Sequence, residues 1–232
     1  MKTKLRRFIF LLYLVYFTLF LGYAETITFS ADSMSGQKNG ENTSTSLVGN
    51  AYIKTNDIEI KADKINLSGI DYQIVTASGN ISGTSNQSKI TFSCSNMEYN
   101  RKTKIAILDI DAKMTDSENS IIAEAQHIHY NQKLETATMQ ISVKITQKTT
   151  ECTSSFAIYR KNQKMLELSG SPKIVKGEDV YTAQEIQMNI ETEEMILDGK
   201  VTGTVTQKEN NEQNDTSETS KLDSNKEGLK NE

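Results

Sequence analysis

What most constrains this chain is an internal repeat of about 30 residues, a period at which like units stack into one elongated fold. A small residue marks each copy: Ala31, Ala62, Cys94, Ala125, Ser154 and Ala183. Two and four residues before it stand apolar or small side chains: Phe29 and Ile27, Ile60 and Ile58, Phe92 and Ile90, Ala123 and Ile121. Later copies are looser, with Cys152 and Tyr181 at or beside the same place. Alternation of this kind puts every second side chain on one face of a strand. After the marker the phase slips. The next apolar residues fall three and five places on: Ile65 and Leu67, Met97 and Tyr99, Ile128 and Tyr130, Ala157 and Tyr159, Ile186 and Met188. An odd step turns side chains to the other face unless the backbone bends or bulges, so the slip predicts a built-in corner. A second apolar stretch follows in each unit, at residues 74–77, 105–108, 137–145, 166–168 and 195–197. Gly49, Gly79 and Gly199 close three units and lead into a further short strand, where glycine suits a bulge or tight bend.

One such unit cannot bury its apolar face alone, but its neighbours supply the cover. Helical periodicity is absent and β-branched residues are abundant. The fold expected is all-β: an elongated, curled β jelly roll, a solenoid-like stack of about six short-strand repeats. Composition agrees, since the chain has no Trp, a single Pro and only 7% aromatic residues. That supply of apolar bulk suits a thin sheet with one apolar face better than a thick sandwich. The net charge of −4 comes without a basic patch, which argues against nucleic acid as a partner.

The ends differ from the middle. Lys2, Lys4, Arg6 and Arg7 precede an apolar run over residues 8–21, followed by Gly22, Tyr23 and Ala24 as a small-x-small cleavage site. Residues 1–24 therefore read as an export signal. An uncleaved anchor is the rival, and it would need roughly 20 apolar residues. Residues 25–206 form the expected β domain. Residues 207–232 hold Leu222 and Leu229 as their only apolar side chains, and read as a disordered polar tail.

Leu47-Val-Gly-Asn-Ala-Tyr-Ile-Lys, followed by Asp57-Ile-Glu-Ile-Lys-Ala-Asp-Lys-Ile-Asn-Leu, carries an apolar-Gly-Asn-apolar strand and then an Ile-x-x-Ala-Asp-x-Ile strand. Asp32 follows Ala31 as Asp63 follows Ala62, and Ala183-Gln-Glu-Ile-Gln-Met and Gly199-Lys-Val-Thr-Gly-Thr-Val echo the pattern. In these motifs the chain resembles the LptA/OstA family of periplasmic lipopolysaccharide-transport proteins. The likeness covers roughly residues 26–206 and weakens between Cys94 and Ser154, where the Gly-Asn element is missing.

The resemblance implies a curled jelly roll in the periplasm whose inner face holds the acyl chains of lipopolysaccharide or a related glycolipid. The lining would be Ile58, Ile60, Ile65, Leu67, Ile90, Phe92, Met97 and Tyr99, continued by Ile121, Ile128, Tyr130, Tyr159, Ile186 and Met188. The same columns are equally what the dry core of a β protein needs. A long trough with an open seam would give acyl chains access. The resemblance also implies docking by strand addition, to LptC-like inner-membrane and LptD-like outer-membrane proteins and end to end between copies. Edge strands at residues 26–31 and 199–206 would serve, with Ile27, Phe29, Val201 and Val205. Two other readings keep the repeat but not the cargo: a structural or adhesive surface solenoid, and an enzyme acting on polysaccharide. No nucleophile elbow, zinc-binding helix, C-x-x-C or phosphate loop is present, so no catalytic residue and no cofactor is assigned. His127 and His129 share a strand face without further ligands at metal-binding spacing, so no metal is assigned either. Cys94 and Cys152 sit two repeats apart, about 10 Å if each repeat is one rung, which favours buried thiols over a disulfide.

Overall fold

The computed structural model describes residues 26–39 and 42–206; the expected export signal and polar tail lie outside them. Sixteen strands form one antiparallel sheet. They are β1 (Thr28–Ser30), β2 (Ser33–Asn39), β3 (Asn42–Lys54), β4 (Ile58–Gly69), β5 (Ile74–Ser85), β6 (Ile90–Asn100), β7 (Ile105–Asp116) and β8 (Ile121–Asn131). Then come β9 (Thr136–Gln147), β10 (Thr150–Arg160), β11 (Met165–Ser169), β12 (Lys173–Lys176), β13 (Asp179–Thr182), β14 (Glu185–Asn189), β15 (Met195–Asp198) and β16 (Thr202–Thr204). From β3 to β11 each strand pairs with the next in sequence, and the sheet does not close on itself. No helix among the described residues is long and apolar enough to cross a membrane.

Each repeat supplies two long strands, and a corner divides each of these into the short strands that the sequence pattern implies. The corners lie where two successive residues take positive φ: Gly49 and Asn50, Gly79 and Asn80, Ile110 and Asp111, Ile141 and Ser142, Gly170 and Ser171, Gly199 and Lys200. On the facing strands the register breaks between Lys61 and Lys64, Ser93 and Asn96, Glu124 and His127, and Ser154 and Phe156. These breaks are the phase slip after Ala62, Cys94, Ala125 and Ser154. Glycine therefore marks only some of the corners, and two carry isoleucine. At Gly79 a Cβ would come within 2.3 Å of Asp63 Oδ2, and Asn80 Nδ2 donates to that same oxygen at 2.9 Å. Asp32 stands over Gly49 and Asn50 in the same way. The Ala-Asp and Gly-Asn pairs are thus two halves of one corner. At the next corner the roles are exchanged, with Gln126 Nε2 donating to Asp111 at 3.2 Å.

The corners double the sheet over. A strand of twelve residues such as β4 would span about 40 Å if straight. Yet Asp57, just before its start, pairs with Lys104 in the turn between β6 and β7, at the opposite ends of the strands. The two half-sheets face each other with their apolar sides inward, and their free rims meet along a seam. Ala51, Ala62, Cys94, Ala112 and Ala125 are buried beside the corners, where the halves converge and only small side chains fit. Cys94 on β6 and Cys152 on β10 are free, buried thiols. They are four strand spacings apart, about 19 Å along the sheet, because each repeat contributes two strands rather than one.

Candidate functional site

Cross-strand register turns the inner face into continuous columns. In one half-sheet Leu67, Val75, Tyr99, Ala106, Tyr130, Ala137, Tyr159, Leu166 and Met188 are successive partners. Beside them run Leu47, Ile65, Ala77, Met97, Leu108, Ile128, Met139, Ala157, Leu168 and Ile186. The facing half carries Ile53, Ile60, Gly83, Phe92, Met114, Ala123, Ile145, Cys152 and Ile174. Large and small residues alternate across strands, most regularly where Tyr99, Tyr130 and Tyr159 flank Ala106 and Ala137, so the facing layers can interlock. All fourteen residues expected to line the groove lie in this one buried cluster, none more than 8% exposed. Burial pushes the Cys94 and Cys152 thiols and the Tyr130 phenol up to about 12, which keeps these three groups uncharged.

The rim of the second half-sheet is different. Its register column reads Ile58, Ser85, Ile90, Asp116, Ile121, Gln147 and Thr150, apolar and polar in turn as far as Gln147. The polar members reach across the seam. Gln132 Nε2 donates to Ser85 Oγ at 2.8 Å, and Gln147 Nε2 donates to the Ile190 carbonyl at 3.0 Å. Tyr159 donates its hydroxyl to Asp116 Oδ2 at 2.8 Å. The Lys161 ammonium reaches the Ser88 carbonyl at 2.5 Å, Glu118 Oε2 at 2.7 Å and Asp116 Oδ1 at 3.3 Å. Asn119 adds donors to both Asp116 and Tyr159, and Lys164 bonds Asn119. The seam expected to stand open is thus bridged by side chains in this structure.

Electrostatics holds these groups ionised. Burial opposes the charge on Asp116, but hydrogen bonds from Asn119 and Tyr159 and the nearby Lys161 outweigh it, so the carboxyl sits below its ordinary value. Hydrogen bonds from Lys161 and Lys89 lower Glu118 to about 2. Burial also works against Lys161, yet bonding to Glu118 and the field of Asp116 hold its ammonium above the usual lysine value. Burial, then the hydrogen bond to Asp116, raises the Tyr159 phenol.

At the β1 end the inner face opens into a cavity of about 890 Å³, lined by Ile27, Phe29, Met34, Leu67, Ile70 and Tyr72 and by the polar Thr45, Asp71, Gln73, Arg101 and Lys102. β2 is exposed along its whole length. Both stretches expected as docking edges lie at sheet margins: β1 pairs only β3, and β16 pairs only β13. Phe29, Val201 and Val205 are exposed there, while Ile27 packs partly against the core. His127 faces outward and pairs with Asp109 at 2.5 Å. Among the described residues no cluster of three or more His, Cys, Asp or Glu could hold a metal ion.

The family model of LptA/(LptD N-terminal domain) LPS transport proteins matches residues 28–136, the stretch that contains both Asp/Gly-Asn corners. Over that stretch the chain is LptA/OstA-like. Among solved structures, this LptA/OstA-like chain is similar to LptH of Pseudomonas aeruginosa, described as the LptA homologous periplasmic component of the conserved lipopolysaccharide transport device. That likeness covers 78% of this chain and 96% of that one, at 8% identity and a TM-score of 0.25. No curated protein sequence matches the chain.

The side-chain bridges across the seam of this LptA/OstA-like protein were not foreseen from its residues, although a signal exists. Ser85, Asp116 and Gln147 recur at steps of 31 residues in the slot just before a turn, where polar residues ordinarily pass as turn formers.

Proposed function

We propose that this chain is a periplasmic carrier that holds the acyl chains of lipopolysaccharide, or of a related glycolipid, between its two half-sheets. Residues 1–24 direct export and are removed after Ala24. The carrier works without chemistry, and its β1 and β16 margins dock other copies and LptC-like and LptD-like partners by strand addition. The observation that carries this reading is the unbroken set of apolar columns, running from Leu47 to Met188 and opening into a cavity at one end. Twelve strands in the main path of the sheet give an inner face about 50 Å long. Each methylene buried there is worth about 0.8 kcal/mol, so one acyl chain of about twelve carbons gains on the order of 10 kcal/mol.

Mass spectrometry of lipids extracted from the mature chain, purified from periplasm, tests the reading. Stoichiometric glycolipid is expected, and Phe92→Asp, which puts a carboxylate in the apolar column, should abolish it. A chain that stays empty after incubation with total outer-membrane lipid would refute the carrier. The second reading is a structural or adhesive solenoid. One observation favours it, the near-zero exposure of the inner columns, and an empty, stable chain is the result it expects.

A further inference from the structure

We infer that the seam is a lateral gate, latched by one set of polar side chains per repeat and bolted at its centre by Lys161, through which acyl cargo passes sideways into the interior. The inference rests on the carrier reading, which already implies access along the seam, and adds the lock.

Four observations carry it. First, the contacts across the seam come from side chains, not from a strand ladder, since the sheet does not close on itself. Parting the rims therefore costs side-chain contacts and leaves every strand pairing intact. Second, the latches are periodic. Asp57–Lys104 and Ser85–Gln132 are each 47 residues apart, Asp116–Lys161 is 45 apart, and Gln147 reaches Ile190 at a separation of 43. A series that recurs with the repeat is a property of the fold and not of one loop.

Third, the rim alternates polar latches with isoleucines, where the columns beneath are almost wholly apolar. A rim built like those columns would seal the halves together by burial. Serine, glutamine, carboxylate and ammonium groups instead return to water when the rims part, so their separation is reversible. The inner columns behave oppositely, and stay exposed only if another apolar surface replaces the facing half-sheet. Acyl chains supply that surface, which ties opening to cargo.

Fourth, Lys161 is a bolt in geometry. A single side chain, 5% exposed, crosses from one rim and bonds acceptors on two separate turns of the other, Ser88 in the β5–β6 turn and Asp116 and Glu118 at the β7–β8 turn. Buried ion pairs contribute little net stability compared with apolar packing, and their better-attested use is to set register or a switch.

The test uses the full mature chain, fluorescently labelled lipid A as probe, and a clip across the seam. Asn119→Cys with Lys164→Cys, a partly exposed pair in contact across the seam, is bridged on the folded protein by a bifunctional maleimide with a reducible spacer. The native thiols, buried and raised to about 12, stay out of the reaction. Clipping should slow lipid A loading by about tenfold or more, and reduction of the spacer should restore it. Lys161→Met, unclipped, should load about tenfold faster than wild type. Clipped protein that loads at the wild-type rate would show that chains thread in from the ends, and would overturn the gate while sparing the carrier. Unmodified wild type that takes up no lipid A would overturn the carrier and the gate with it.

Discussion

Replacing Lys161 by methionine should loosen the protein by a calculable amount. Methionine keeps most of the apolar stem and removes the ammonium, along with its bonds to Ser88, Asp116 and Glu118. Breaking a buried ion pair by deleting one partner ordinarily costs about 3–5 kcal/mol, because the other charge is left uncompensated. Here Asp116 is fully buried but well supplied. It still accepts from the Glu118 amide at 3.0 Å, from Asn119 Nδ2 at 2.7 Å and from the Tyr159 hydroxyl at 2.8 Å. Glu118, half exposed, simply rehydrates. The cost should therefore fall at the low end, about 3 kcal/mol. Asp116→Ala strips the acceptor from all of those donors at once and should cost more, about 4–5 kcal/mol. In urea, with a slope of about 2 kcal/mol/M, Lys161→Met should lower the midpoint by about 1.5 M. Circular dichroism at pH 7 reads both variants. A Lys161→Met midpoint within about 0.3 M of wild type, or one lower than that of Asp116→Ala, would refute the account of the bolt.

Ile110→Gly and Ile141→Gly should each stabilise the fold by about 0.5–1 kcal/mol, because a β-branched residue at positive φ carries strain that glycine lacks and both side chains already face solvent. The two sites are two strands apart, about 10 Å, so the double variant should raise Tm additively by about 2–6 °C in calorimetry; a fall would contradict the corner geometry. Gly79→Ala meets both the unfavourable φ of 76° and the Asp63 carboxylate, and should lower Tm by several degrees. Asp63→Ala in the same chain should recover only the steric part. Acid should unlatch the seam. Glu118, lowered from 4.5 to about 2, and Asp116, also lowered, contribute stability that is present above the ordinary carboxylate range and lost as pH falls toward about 2. Lys161, raised above 10.5, keeps its charge throughout that window. Amide exchange in the turns around Ser88 and Asn119, corrected for its intrinsic pH dependence, should accelerate between pH 4.5 and 2. Unchanged protection would argue against the latch.

The stacked sheet, its inward columns and its corners were legible because period-two alternation and its slip are local signals. Ala62 followed by Ile65 announces a bulge whatever lies elsewhere. Ile110 and Ile141 hid two corners, since β-branched residues are poor candidates for positive φ and only the repeat places them there. The number of strands per repeat was hidden for a related reason. A bent strand and two short strands leave the same alternation, and only pairing across Ser93 and Asn96 to Lys113 and Asp109 shows that β6 runs through its corner. The latching of the seam was out of reach because its partners are more than forty residues apart and use the residue types that any surface turn uses. Asp116 became recognisable only once its burial was known.

Pairing from β3 to β11 between sequence neighbours has a consequence for how such a molecule can change size. No strand in that run waits for a distant segment, so the sheet can zip up progressively from any turn, as low contact order favours. A duplicated repeat of about 31 residues would slot between existing strands without re-pairing the rest, lengthen the inner face by about 10 Å and bring one more latch with it. Span is thus a quantity such a chain can adjust in discrete steps by copying its own sequence.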